Sequence, residues 1–243
     1  MSDLKRYDMI QACIDVIKRK KKKVNYLEIG VQTGFCFFKI KADRKLAVDP
    51  DFIIQLKKKI KAYIKNFSNF NNKYFELTSD DFFAQQGNYV KAIGGLDVVF
   101  IDGLHLYEQV VKDIENSLKY LNKGGVILVH DCNPLTENAA VRAYTSTEVA
   151  AMNLPGYDYI WNGDVWKAIV ELRATRKDVE VIVINSDHGV GVITERAVKP
   201  FALTTEQLNT LTYADLDNNR EAYLNLKTPE YFATFVSEFE KAK

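Results

Sequence analysis

The 243-residue chain lacks a dominant charge: 33 lysines and arginines face 32 acids, a formal net charge of +1. No global basic field draws it to nucleic acid, and no acidic excess marks a disordered tail. Cysteine is scarce. Cys13, Cys36 and Cys132 are odd in number and widely scattered. That argues against a disulfide framework or a paired-cysteine zinc site, and for a reducing compartment. No apolar run approaches the roughly 20 residues of a bilayer span, and the opening MSDLKRYDMI has no signal-peptide core. The expectation is a soluble cytoplasmic protein with neither a membrane nor a nucleic-acid partner. Internal repeats and low-complexity linkers are absent too.

What is present is apolar residue in quantity, 47% of the chain. That suffices for one well-buried α/β domain and is short for two. Leu4 to Lys23 carries Met9, Ile10, Cys13, Val16 and Ile17 at helical spacing and ends in KRKKKK. Cations there suit a helix C-terminus, and a nuclear-import or anionic-surface patch is the alternative. Five apolar runs follow: Val24–Gly30, Lys45–Pro50, Lys73–Ser79, Leu96–Gly103 and Gly125–Asn133. Helical stretches separate them, notably Phe52–Ile64 with its lysines and Leu106–Leu121 with one apolar face. Strands alternating with helices predict βαβ units and a mainly parallel sheet. After the irregular segment 134–164 come a helix, Val165–Arg176, and two runs, Val179–Asn185 and Gly189–Glu195. The link between those runs is too short for a crossover helix, so they should pair antiparallel. A helical tail closes the chain from Leu203. The expected organisation is an N-terminal helix (1–23), a central domain (24–200) and a helical extension (201–243).

Ligands of open α/β sheets bind outside the carboxyl ends of the strands, at the topological switch point. The residues at those ends are therefore the candidates. Strand one supplies Glu28, Gly30 and Gly34; strand two Asp49; strand three Ser79 and Asp80. Strand four supplies Asp102 and His105; strand five His130, Asp131 and Asn133. A dinucleotide fingerprint would need glycine at 30, 32 and 35, but the last two positions hold Gln32 and Phe35. A nicotinamide site is disfavoured. Gly30 and Gly34 still permit close backbone approach to a ligand. Asp49 can accept hydrogen bonds from ribose hydroxyls or cap a following helix. Ser79 and Asp80 can likewise cap the helix they open. His130 and Asp131, adjacent on a strand, should point to opposite faces, leaving His130 structural. Asp164 reads as the N-cap of the helix from Val165.

The loop E-I-G-V-Q-T-G, the acid ending strand two, and Asp102 ending strand four resemble class I S-adenosylmethionine-dependent methyltransferases. The resemblance runs from about residue 24 to 196. The pieces F-I-D-G-L-H-L-Y and G-G-V-I-L-V-H-D are similar to a branch of small-molecule O-methyltransferases, including catechol-type and sugar- or antibiotic-modifying enzymes. The resemblance implies a Rossmann-like, doubly wound, seven-stranded sheet whose last strand is antiparallel. It implies that Glu28, Gly30 and Gly34 flank the methionine end of S-adenosylmethionine, that Asp49 takes the ribose, and that Ser79 and Asp80 lie near adenine. Asp102 would stand beside the transferred methyl. Asp102, Asp131 and Asn133 would hold a Mg²⁺-type ion, with Cys132 where relatives often carry the third ligand. His105 would be the general base, or else would cap the helix or bind Asp102 structurally. The expected activity is O-methylation of a hydroxyl on a small polar molecule, sugar or glycan, by a chain that could self-associate. A nucleotide- or NAD-dependent oxidoreductase and a non-catalytic cofactor-binding assembly protein are the alternatives from other classes.

Overall fold

The computed structural model describes residues 4–241. Residues 1–3 and 242–243, the outer ends of the two expected terminal segments, lie outside the described residues. The chain runs α1 (Arg6–Lys20), β1 (Asn25–Ile29), β2 (Arg44–Asp49), α2 (Leu56–Lys65), β3 (Asn72–Glu76), α3 (Ser79–Ala92), β4 (Leu96–Ile101) and α4 (Tyr107–Leu118). There follow β5 (Leu121–Val129), α5 (Ser146–Ala151), α6 (Val165–Thr175), β6 (Val179–Ile184) and β7 (Val190–Glu195). The tail forms α7 (Thr205–Thr210), α8 (Tyr213–Leu224), β8 (Leu226–Lys227) and α9 (Tyr231–Lys241).

The strands form one sheet in the order β3-β2-β1-β4-β5-β7-β6-β8. It is the expected Rossmann-like sheet, mainly parallel, with β7 antiparallel to both neighbours. Its strand count corrects the expected seven to eight. The additional strand comes from the tail, where a two-residue strand leaves no periodicity to read. It forms because α8 ends on Asn225 in the left-handed region (φ 48°), which turns the chain alongside β6. Several boundaries moved, two of them at the site. The helix after β2 starts at Leu56, not Phe52, and β5 ends at Val129, before His130.

Alternation along the strands sends side chains to two cores. Leu27, Ile29, Val99, Ile101 and Ile127 face α3, α4, α6 and α8. Tyr26, Val98, Phe100, Val126 and Leu128 face α1 and α9. Ile10 and Ile14 of α1 are fully buried there, each contributing about 2 kcal/mol. Their burial holds the first turn of α1 against the carboxyl edge of the sheet.

Order reverses between β1 and β4, so the switch point lies where Gly30 and Asp102 leave their strands. Gly30 has φ +83°, and a Cβ there would stand 2.0 Å from the carbonyl oxygen of Asp102. Neither the backbone conformation nor the contact tolerates a side chain. Gly30→Ala should therefore destabilise the fold by more than about 1 kcal/mol, read from the urea midpoint. An unchanged midpoint would refute the close-approach argument.

Candidate active site

The parallel register brings Ile29, Ile101 and Val129 level across β1, β4 and β5. The ladder then continues one residue further, with Asp102 N donating to Ile29 O and His130 N to Ile101 O. Asp102 and His130 are thus level neighbours on the face that α1 covers. Asp131 comes next with φ +60°. This corrects the expectation for His130: strand alternation no longer applies after Val129, and the turn swings both side chains to one place. His130 Nδ1 lies 2.8 Å from Asp131 Oδ2 and 3.2 Å from Asp102 Oδ1.

His105 closes the cluster from the β4–α4 loop. Its Nε2 is 3.3 Å from Asp131 Oδ2 and 3.7 Å from Asp102 Oδ1. Its ring packs against Trp161 at 4.8 Å. His105 does not cap α4. Asp164 does that, accepting from Tyr107 N at 2.7 Å, while giving no side-chain cap to its own helix α6. Asp164 is held in this position by Arg142.

Arg6, at the first turn of α1, was not anticipated. Its Nη1 donates to Asp102 Oδ2 at 2.8 Å and its Nε to Asp187 Oδ2 at 2.8 Å. No sequence pattern links residues 96 positions apart; only the docking of α1 makes this contact. Asp187 was legible in principle, because it follows β6, which runs parallel to β4 and β5. Asn162, which donates to Asp131 Oδ1, sits in the patternless segment before α6. His188 lies in the same turn as Asp187, and its ring meets that of His130 edge-on at 5.9 Å.

These neighbours set the titration of the site. Burial alone would raise the Asp102 pKa, but His130, His105 and Arg6 hold it well below the usual carboxylate range. Burial opposes protonation of His130, yet Asp102 and Asp131 outweigh it and lift the pKa to about 10. His105 is raised in the same way, burial being overcome by its hydrogen bond to Asp102 and the charges of Asp131 and Asp102. Glu28 behaves oppositely. It is buried, accepts a hydrogen bond from the Tyr26 hydroxyl, and is pushed up by burial to about 8.

The cluster opens into a cavity of about 970 Å³ along the β1–β4 switch. Glu28, Gly30, Asp49, Ser79, Asp80, Asp102, His105 and Asp131 all line it. Gly34 shapes its loop with φ +78°. Asp49 accepts from Gln32 N at 2.7 Å and Asp51 N at 2.8 Å, fixing the turn after β1. With α2 starting at Leu56, Asp49 caps no helix. Thr78 caps α3, leaving Ser79 to donate to Asp113 at 2.6 Å and Asp80 to face Lys112. Asn133 lies apart from the acid pair. Its side chain donates to Asn185 and accepts from Arg220, because the chain at 132–133 has already bonded to the β6–β7 turn. In its place His105 joins the acid pair: one atom each of Asp102, His105 and Asp131 lies within 4.8 Å of the others.

Residues 27–132 match a family model described as a methyltransferase domain. An uncharacterized protein of Acanthamoeba polyphaga mimivirus is 30% identical over 124 residues, 46% of this chain and 53% of that protein. The match thus spans about half the length of that relative. An O-methyltransferase from Bacillus cereus in complex with SAH superposes with a TM-score of 0.51 at 15% identity, covering 80% of this chain and 83% of that one. A cofactor-bound protein from MTB superposes with a TM-score of 0.51 at 14% identity, covering 81% and 83%. These distant structures share the fold. The match places a methyltransferase-domain pattern on residues 27–132, and the solved structures share its fold.

Removing Arg6 would leave two largely buried carboxylates short of a cation. Arg6→Ala should cost about 2 kcal/mol of stability. Arg6→Lys should recover only part, since one ammonium cannot span both acids as the guanidinium fork does. Urea denaturation of the two variants checks this; an Arg6→Ala midpoint equal to that of the parent would contradict it.

Proposed function

We propose that the protein O-methylates a hydroxyl on a small polar molecule, with residues 24–200 as the methyltransferase domain and 1–23 and 201–243 as flanking segments. One observation carries the reading: His105 stands at the cavity lip between two carboxylates, under Trp161. S-adenosylmethionine, when bound, supplies the electrophilic methyl. The cavity's size suits such a ligand. In this reading Asp49 receives the ribose hydroxyls, Ser79 and Asp80 lie near the adenine, and Gly30 and Gly34 let the backbone approach. Glu28 would face the methionine end, where a cationic ligand would draw its carboxyl towards ionisation.

Attack on a methyl needs an oxygen deprotonated at or before transfer and held in line. His105 takes the acceptor's proton, and Asp102 and Asp131, which face its Nε2, stabilise the imidazolium that results. Trp161 keeps the ring in place and excludes water from one side. Tyr144 and Tyr159, both exposed at the cavity rim, offer flat faces to a ring-shaped acceptor, which favours a sugar or glycan. His105→Ala should lower turnover on a responsive glycoside by roughly 100- to 10,000-fold. The thermal shift given by S-adenosylhomocysteine should be retained, since the base acts during chemistry and not in cofactor binding. The base must start neutral and its pKa is raised. Activity should therefore be lost as pH falls, with the acid limb above the ordinary histidine value of about 6.5. Near-normal turnover with an unchanged acid limb would reject the role.

A second reading is favoured by the convergence of Asp102, His105 and Asp131. Two carboxylates and an imidazole are a reasonable donor set for a divalent cation. These three would hold it, and it would lower the pKa of the acceptor hydroxyl. Exhaustive chelation separates the readings: activity lost and restored by Mg²⁺ or Mn²⁺ supports the metal, and activity retained removes it.

A further inference from the structure

Residues 52–75 contain six lysines and no aspartate or glutamate, in a chain whose overall charge is +1. Among the described residues none of these lysines forms an ion pair; Lys59 and Lys73 instead lie over the rings of Tyr74 and Tyr89. The N-terminal basic run differs. There Lys18, Arg19 and Lys21 are paired with Asp43, Glu240 and Asp97.

Helix α2 turns Lys59, Ala62 and Tyr63 partly inward, with the Tyr63 ring packed on Phe38 and Phe70. Its outer side carries Leu56, Ile60 and Ile64, spaced by four residues and so aligned on one face. They are 71%, 53% and 70% exposed. Phe67 and Phe70 prolong the stripe, stacked on each other and 78% and 66% exposed. Lys57, Lys61 and Lys65 repeat the same spacing one position on, so a basic strip runs beside the apolar one.

From this juxtaposition we infer that α2 and the turn after it dock the protein on an anionic lipid bilayer, apolar stripe in the headgroup–acyl boundary and lysines on the headgroups. Charge and shape select this occupant. Leu56, Ile60 and Ile64 offer no ring to a base, and Phe67 and Phe70 stack on each other, so the bilayer is favoured over nucleic acid. A second copy would bring lysine strips together. Sequence reading expected no membrane partner, and no helix among the described residues is long and apolar enough to cross one. Surface docking requires neither. Ile53, half exposed beside the ridge, also lines the cavity, so docking would bring the cavity mouth near the bilayer.

Co-sedimentation of the full chain with lipid vesicles tests the inference. It should bind phosphatidylcholine vesicles containing phosphatidylserine, release as salt is raised, and ignore pure phosphatidylcholine. Ile60→Asp with Ile64→Asp, and separately Lys57→Glu with Lys61→Glu, should each weaken binding by about tenfold or more. Both double variants should keep the thermal shift with S-adenosylhomocysteine, which verifies folding. Absence of binding to anionic vesicles at low salt, or undiminished binding by the variants, overturns it. So does self-association, or binding to single-stranded RNA, that these substitutions abolish while vesicles remain unbound.

Discussion

Two carboxylates, Asp102 and Asp131, end neighbouring strands almost out of reach of solvent, and their charge has to be met by the protein itself. Ionised groups cannot be desolvated without partners. Three segments supply them: α1 through Arg6, the β4–α4 loop through His105, and the turn after β5 through His130. Asp187 then takes the remaining capacity of Arg6, which fastens the β6–β7 turn to the same point. Much of the arrangement at the carboxyl edge follows from that balance.

The same balance gives the site its chemistry. Buried imidazoles beside carboxylates hold protons more tightly than in water, and carboxylates beside cations release them more readily. A proton, a divalent cation or an incoming hydroxyl would compete for one small volume. Glu28 adjoins this group from β1. Its pKa is lifted chiefly by burial and also by the charge of Asp102, which keeps a neutral carboxyl in the cavity wall. Perturbed groups of opposite tendency in one cavity are a common mark of functional sites.

The irregular segment 134–164 contributes more than its lack of pattern suggested. Through Asn162 it orients Asp131, through Trp161 it covers His105, and through Asp164 it caps α4. Each contact is a single polar or aromatic side chain on a loop, without periodicity. In the proposed function, acceptor choice would be shaped by the same loop, and the cofactor would be held by the strand ends. This division lets one fold serve many substrates.

Hydrophobic periodicity and strand–helix alternation in the sequence determined the sheet, its parallel strands and the antiparallel β7, since burial on both faces requires near-continuous apolar runs. Local chemistry likewise marked the strand ends: Gly30 and Gly34, then Asp49, Asp102, His105 and Asp131 stand where chain direction changes. Tertiary structure alone decided which of these meet. Arg6 reaches Asp102 only because Ile10 and Ile14 dock α1, and the left-handed Asp131 brings His130 into the cluster and sends Asn133 away. It also decided which side of α2 faces water, since a helical pattern shows that an apolar stripe exists and not whether the fold covers it.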